Sequence, residues 1–307
     1  MEHLPVSLPI LLVFYNRPAM VAKSLAALRR VRPQRLWVSA DAPRKGDLED
    51  ARLCREAKAA LDGIDWPCDL RWQQATDHLG CRDGVISALD WFFESVEAGV
   101  ILEDDCVPEP TFFDFCTELI ERYANASEVM MISGNNFEKE QSTPESYSFS
   151  RYGHMWGWAT WRRAWRLFDR DLDDWPRRRT SGWLRTVANH PLFLARWREL
   201  LDGVHEGAID TWDVQWAYTV FKEGGLVAIP SQNLVSNFGF DDQATHTREK
   251  GSPYRGITTR PLDFPLRHPT KLAMRARSRL LPSRGEVYLE PFRPSQGIVS
   301  TQDGTGM

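Results

Sequence analysis

Apolar residues run unbroken from Leu8 to Tyr15 and stop at Asn16-Arg17-Pro18. A continuous rather than alternating run predicts a strand buried on both faces, as in a parallel sheet. Over 19–30 the apolar positions Met20, Leu25 and Leu28 lie on one helical face. The pattern then repeats. Residues 36–40 predict a second strand closing at Asp41, and 48–61 a helix ended by Asp62-Gly63. Residues 70–73 predict a third strand and 83–97 an amphipathic helix. Residues 99–102 predict a fourth buried strand, which runs straight into Glu103-Asp104-Asp105. Strand and helix in alternation over about a hundred residues are the signature of βαβ units on a parallel sheet.

Further along, 110–123 predict another helix and 129–133 another strand. The polar stretch 137–150, with one Pro, predicts a loop, and 151–174 are dense in Trp and Arg. Helices are expected over 183–201 and 212–222, the latter ended by Gly224-Gly225, and a late strand over 226–230. Beyond Gly251 the chain is rich in Pro and Arg. Residues 271–281 read as a short basic helix, and those after 285 have too few apolar side chains to be expected to order.

Composition narrows the function. A net charge of -4 argues against a nucleic-acid partner, whose domain would normally be basic. The five Cys all lie in the first half without a CxxC pair, which argues against a disulfide framework or zinc site and for a reducing compartment. The run 8–15 is too short to span a membrane and lacks a charged leader and a cleavage site, so a cytoplasmic protein is expected. Arg275, Arg277 and Arg279 near Leu280-Leu281 suggest at most a weak peripheral contact with anionic lipid. No GxGxxG follows a predicted strand, which disfavours a dinucleotide dehydrogenase. Thirteen Trp, most of them between Trp156 and Trp216, suit core packing first and sugar faces second.

In open parallel sheets ligands sit at the carboxyl ends of the strands. Three polar turns are expected there: Asn16-Arg17, Asp41 and Glu103-Asp104-Asp105. Three adjacent carboxylates at the end of a buried strand repel one another and lose water, a costly arrangement unless a cation neutralises them. Mg²⁺ or Mn²⁺, which prefer oxygen ligands, fit that description. A solvated acidic turn is the plainer reading. The buried strand before the triplet and Val107-Pro108 after it favour the site.

The stretch 99–115, GVILEDDCVPEPTFFDF, resembles the metal-binding segment of N-acetylglucosaminyltransferase I and its relatives, inverting glycosyltransferases of the GT-A fold. The resemblance runs in order over residues 8 to 247. Asn16-Arg17-Pro18 and Ser39-Ala40-Asp41 resemble the family's first two nucleotide-contacting turns, and His78-Leu79-Gly80-Cys81-Arg82 the loop that closes over the nucleotide. Gly157-Trp158-Ala159-Thr160-Trp161 resembles the acceptor-side turn. Trp212-Asp213 with Trp216 resembles the stretch carrying the catalytic base. Asn237-Phe238-Gly239-Phe240 with Thr245-His246-Thr247 resembles the closing segment.

The resemblance implies a GT-A, Rossmann-like, mostly parallel sheet flanked by helices. Residues 1–135 would be its nucleotide-sugar-binding half, 136–250 its acceptor-binding and catalytic half, and 251–307 a C-terminal extension. It implies a nucleotide-diphosphate sugar donor, UDP-linked, and a saccharide acceptor such as a cell-surface glycan. Lacking a membrane anchor, the chain looks closer to the family's bacterial members than to Golgi enzymes. Asp105 would be the direct metal ligand, with His246 on the metal or phosphate. Asp104 and Glu103 would contact ribose or metal-bound water. Asn16, Arg17 and Asp41 would line the nucleotide, and Arg82 would pair with the diphosphate through its planar fork. The family's two adjacent Asp are absent, so the base stays open between Asp213 and Asp210. Asp213 lies between Trp212 and Trp216, where desolvation would make it a stronger base. Trp158 and Trp212 are candidate faces for the acceptor. A nucleotidyltransferase usually begins with a glycine-rich basic loop after the first strand, where this chain has Asn16-Arg17-Pro18. A carbohydrate-binding protein that kept the fold and lost turnover is the non-catalytic rival.

Overall fold

A computed structural model of the chain describes residues 6–137, 144–239 and 256–274. The first four apolar runs form β1 (Ile10–Phe14), β2 (Arg35–Ala40), β3 (Asp69–Gln74) and β4 (Ala98–Glu103). All four are parallel, in the order β3-β2-β1-β4. Their connections carry α1 (Pro18–Val31), α2 (Leu48–Ala59) and α3 (Gly80–Ser95). Pro18 opens α1, where a missing N–H costs nothing. Asp47 caps α2 by accepting the Asp50 N–H at 2.9 Å.

After Glu103 the chain forms the short β5 (Cys106–Pro108), α4 (Thr111–Arg122), β6 (Val129–Ser133), β7 (Tyr147–Ser150) and β8 (Trp158–Trp161). Helices α5 (Arg162–Trp165), α6 (Trp175–Ser181), α7 (Leu184–Val187), α8 (Pro191–His205) and α9 (Asp213–Lys222) follow. Two strands, β9 (Leu226–Pro230) and β10 (Val235–Asn237), close the series. One eight-stranded sheet results, ordered β3-β2-β1-β4-β8-β6-β9-β7. It is mixed and mostly parallel: β8 runs antiparallel to β4 and β6, and β7 antiparallel to β9. The fold is α/β and Rossmann-like, as expected.

Two strands depart from the sequence expectation. The loop expected over 137–150 ends in β7, whose Tyr147 and Phe149 are buried at 0% and 1% exposure. The Trp- and Arg-dense stretch contains β8, a central strand buried on both faces, with Trp158 in one core and Ala159 and Trp161 in the other. The helix expected over 183–201 is split at His190, whose extended backbone (φ -129°, ψ 128°) follows from the ring of Pro191 behind it. Residues 271–273 are not helical, and Met274 bridges to Phe149. Arg275, Arg277 and Arg279 lie outside the described residues, as do the residues after 285.

Helices α1 and α4 pack on one face of the sheet, and α3 and α9 on the other. A third core joins α6, α7, α8 and the far side of α9. Residues 256–274 return across the first face. There Leu262 N donates to Thr111 Oγ1 at 3.0 Å, and Tyr147 Oη meets His268 Nδ1 at 2.9 Å. All five cysteines are free thiols. Among the described residues no helix is long and apolar enough to cross a membrane.

Candidate functional site

The carboxyl ends of β1, β2 and β4 open on a cleft of about 470 Å³, lined by Arg17, Asp41, Arg44, Glu103, Asp104 and Asp210 among others. Parallel strands put their last residues at one edge, and helix N-termini surround that edge. The acidic triplet arrives there because β4 ends at Glu103 and the chain turns before β5.

The three carboxylates have different surroundings. Asp104 is 1% exposed and is held by Arg17, whose Nε donates to Oδ2 at 3.3 Å and whose Nη2 donates to Oδ1. Arg17 Nη2 also donates to Asp105 Oδ2 at 3.1 Å. A guanidinium from the chain itself therefore supplies part of the neutralising charge that the sequence left to a metal. Glu103 lines the cleft with no hydrogen-bond donor to its carboxylate among the described residues. Burial, with the charge of Asp105 added, pushes its pKa up to about 8, well above the usual carboxylate range, and Arg17 opposes only in part. Asp104 is also raised by burial, with Arg17 pulling the other way.

Asp105 is set by the small ribbon of β5 and β10, which run antiparallel. Its carbonyl accepts the Phe238 N–H at 2.9 Å, and its Oδ1 accepts from Asn237 Nδ2 at 3.3 Å. Gly239 lies so close that a Cβ there would stand 2.1 Å from Asp105 Oδ2. The ribbon thus brings the Asn237-Phe238-Gly239 segment onto the acidic turn. Phe240 and His246 lie outside the described residues.

The remaining candidates divide. Asn16 donates to Asp50 at 2.6 Å, which ties the β1 turn to α2, and is not among the residues that line the cleft. Asp50, 3% exposed, also accepts from the Tyr15 hydroxyl and from Arg44 N at 2.7 Å. Asp41 lines the cleft, but its oxygens already accept the N–H groups of Leu79 at 2.9 Å and Gly80 at 3.0 Å, and its Oδ2 is 2.9 Å from His78 Nδ1. It fastens the loop expected to close over the nucleotide. Arg82 donates to Asp83 at 2.8 Å and is not among the residues that line the cleft. Arg17 and Arg44 are the arginines that line it.

Asp213 is exposed at the start of α9, accepting from the Thr211 hydroxyl and the Val214 N–H (2.8 Å). Its neighbours Trp212 and Trp216 are 3% and 0% exposed and face the core, so the aromatic pocket expected around it does not form. Asp210, three residues earlier, lines the cleft, and its Oδ2 stands 3.1 Å from where a Cβ on Gly80 would be. Trp158 and Trp212 stack on each other with ring centroids 5.6 Å apart and are 1% and 3% exposed, so neither offers a face to an acceptor. Tyr15, Arg44 and His78 also line the cleft. The resemblance had marked only His78, and nothing in the spacing of Tyr15 or Arg44 singled them out.

A cation suits this edge. Glu103, Asp104, Asp41 and Asp210 line it with Arg17 and Arg44, Arg17 also holds Asp105 at 3.1 Å, and a cation there would favour the ionised form of Glu103. Among the described residues no three His, Cys, Asp or Glu are arranged to hold a metal ion by themselves. An ion there would take part of its shell from water or phosphate oxygens, which is usual for Mg²⁺.

No family model matches the chain, and no curated protein matches it. Among solved structures it is similar to HddC from Yersinia pseudotuberculosis, at 11% identity and a TM-score of 0.30, covering 51% of this chain and 77% of that one. It is also similar to an inositol-1-phosphate CTP transferase from T. maritima, at 10% identity and a TM-score of 0.29, covering 71% and 98%. A third is 4-diphosphocytidyl-2C-methyl-D-erythritol synthase from Anaerococcus prevotii, at 13% identity and a TM-score of 0.27, covering 52% and 73%. Likenesses at these TM-scores carry no argument about what the chain does.

Proposed function

We propose that the chain is an inverting glycosyltransferase, which moves a sugar from a nucleotide-diphosphate donor, UDP-linked by the resemblance, to a hydroxyl of a saccharide acceptor. The observation that carries this reading is the acidic turn delivered by β4 to a cleft at the strand ends, where Glu103 and Asp104 line the wall and Arg17 links Asp104 to Asp105. An anionic diphosphate enters so acidic a cleft only with a cation. Asp105 and Glu103 are the residues that would hold one, with His246 added by the resemblance alone. When bound, such an ion offsets the charge that develops on the leaving diphosphate.

The protein's own groups do the rest. Asp41 holds the 78–80 loop against the cleft, and Arg17 and Arg44 offer donors to phosphate or ribose oxygens. The acceptor oxygen attacks the anomeric carbon on the face opposite the diphosphate, and the bond from that carbon to the diphosphate oxygen breaks. Asp210 takes the acceptor proton as general base and later returns it to water. Asp210 is preferred to Asp213 because it lines the cleft, whereas Asp213 is committed to Thr211 and Val214.

A thermal-shift screen of nucleotide sugars with Mn²⁺ tests the reading, since a ligand at a hundred times its Kd stabilises the fold by about 2.7 kcal/mol. The stabilising sugar should then release UDP when acceptor is added. Asp105→Ala should keep the ligand-free melting temperature and lose the shift. Nucleotidyl transfer would instead release pyrophosphate, and a binding protein would release nothing.

A further inference from the structure

Arg17 leaves the turn after β1 and crosses to the acidic turn after β4. Its Nε and Nη2 are both spent on Asp104, and Nη2 also on Asp105. Nη1 has no acceptor among the described residues, although Arg17 lines the cleft. The Arg17 side chain is 17% exposed and that of Asp104 is 2%. A bidentate pair this dry is fixed, because separating it strands a buried charge. The fork therefore stays on the acids with one nitrogen to spare.

We propose that Arg17 is a resident cation of the donor site: it keeps the acidic turn from capturing a divalent ion unaided, and it gives its Nη1 to a diphosphate oxygen, so that ion and nucleotide enter together. The inference rests on the donor-site reading above. The turn gathers three acidic side chains, and the guanidinium sets one positive charge against them. An ion arriving alone meets an Asp105 whose Oδ2 already accepts from Arg17 and whose Oδ1 already accepts from Asn237. It also finds no protein trio to complete its shell among the described residues. A diphosphate arriving alone meets a turn that is still net negative. Together, the phosphate oxygens fill the ion's shell, the ion cancels the remaining charge, and Arg17 Nη1 binds a further oxygen. The coupling is electrostatic and reciprocal.

Free Mn²⁺ measured by its paramagnetic resonance signal, with and without saturating UDP, tests the proposal on the full chain. The wild type should hold Mn²⁺ on the order of tenfold more tightly with UDP than without. Arg17→Gln removes the resident charge, so it should bind Mn²⁺ alone on the order of tenfold more tightly than wild type and gain little from UDP. That variant also strips buried Asp104 of its partner, so Arg17→Gln with Asp104→Asn is measured beside it. There one acid charge and one guanidinium charge are removed together, so the turn keeps the net charge of the wild type. Mn²⁺ alone should bind as in wild type, and the gain from UDP should vanish with the fork. Tight Mn²⁺ binding by the wild type without UDP overturns the proposal. So does a wild-type gain from UDP in either variant. If calorimetry shows that UDP with Mn²⁺ does not bind the wild type at all, the donor-site reading itself falls.

Discussion

Gly239→Ala puts the acidic turn under a defined strain. An added Cβ would stand 2.1 Å from Asp105 Oδ2 and 2.8 Å from its Cγ, whereas real Cβ contacts stay above 3.0 Å. The carboxylate must move by about 0.9 Å, the difference between 2.1 and 3.0 Å. It has no slack, because Arg17 holds Oδ2 at 3.1 Å and Asn237 holds Oδ1 at 3.3 Å. One of these bonds is lost, and a hydrogen bond to a charged group contributes about 1.5–3 kcal/mol. Overpacking of this size costs about 1–3 kcal/mol of stability, a drop of several degrees in melting temperature. The effect on ligand should be larger in kind, since a misplacement of about 1 Å can cost 10²-fold where geometry decides. Calorimetric titration with UDP and Mn²⁺ should therefore show affinity reduced by about 10–100-fold in a protein that still folds. Gly63→Ala is the control, because nothing lies within 4 Å of its added Cβ. Wild-type affinity in Gly239→Ala would mean that Asp105 does not hold the cation.

The two candidate bases separate under matched substitutions: Asp210→Asn should keep UDP and Mn²⁺ affinity and lose about 10²–10⁴-fold in turnover, while Asp213→Asn, which can still cap α9, stays near wild type. The opposite ranking by initial rates would move the base to Asp213. Burial lowers the pKa of His154 to about 3, so the folded chain refuses a proton that the unfolded chain accepts near pH 6.5. That group's contribution is present above about pH 6.5 and lost below it, amounting to about 2 kcal/mol at pH 5. Raised carboxyls such as Glu103 have the opposite sign, gaining stability as pH falls, so the comparison is made against His154→Phe, which shares them. Denaturant melts should show the wild type losing that amount relative to the variant between pH 7.5 and 5. A constant difference would place His154 in water.

The parallel half of the sheet was legible because β1, β2 and β4 are unbroken apolar runs between polar turns. The edge strand β7 was not, since four residues of alternating Tyr, Ser and Phe sit behind a polar stretch with no pattern of their own. β8 was hidden by composition: Trp158 and Trp161 face opposite cores, while the half-buried Arg162 and Arg163 that follow donate to backbone carbonyls of neighbouring segments. The acidic turn was visible as three letters in a row. Its partner was not, because Arg17 and Asp104 are 87 positions apart and only the β1–β4 pairing joins them. The tryptophans misled for a related reason. Trp158 and Trp212 were read as separate faces for a sugar, and they stack on each other.

Asn237 holds two distant points of the chain at once. Its side-chain oxygen accepts the Gly239 N–H at 2.7 Å, and its carbonyl accepts the Gly256 N–H at 2.8 Å. The chain therefore departs and returns at one residue, beside Asp105, with 16 residues between those two glycines. A change that displaces Asn237 would therefore disturb the approach to Asp105 and the anchoring of residues 256–274 at the same time.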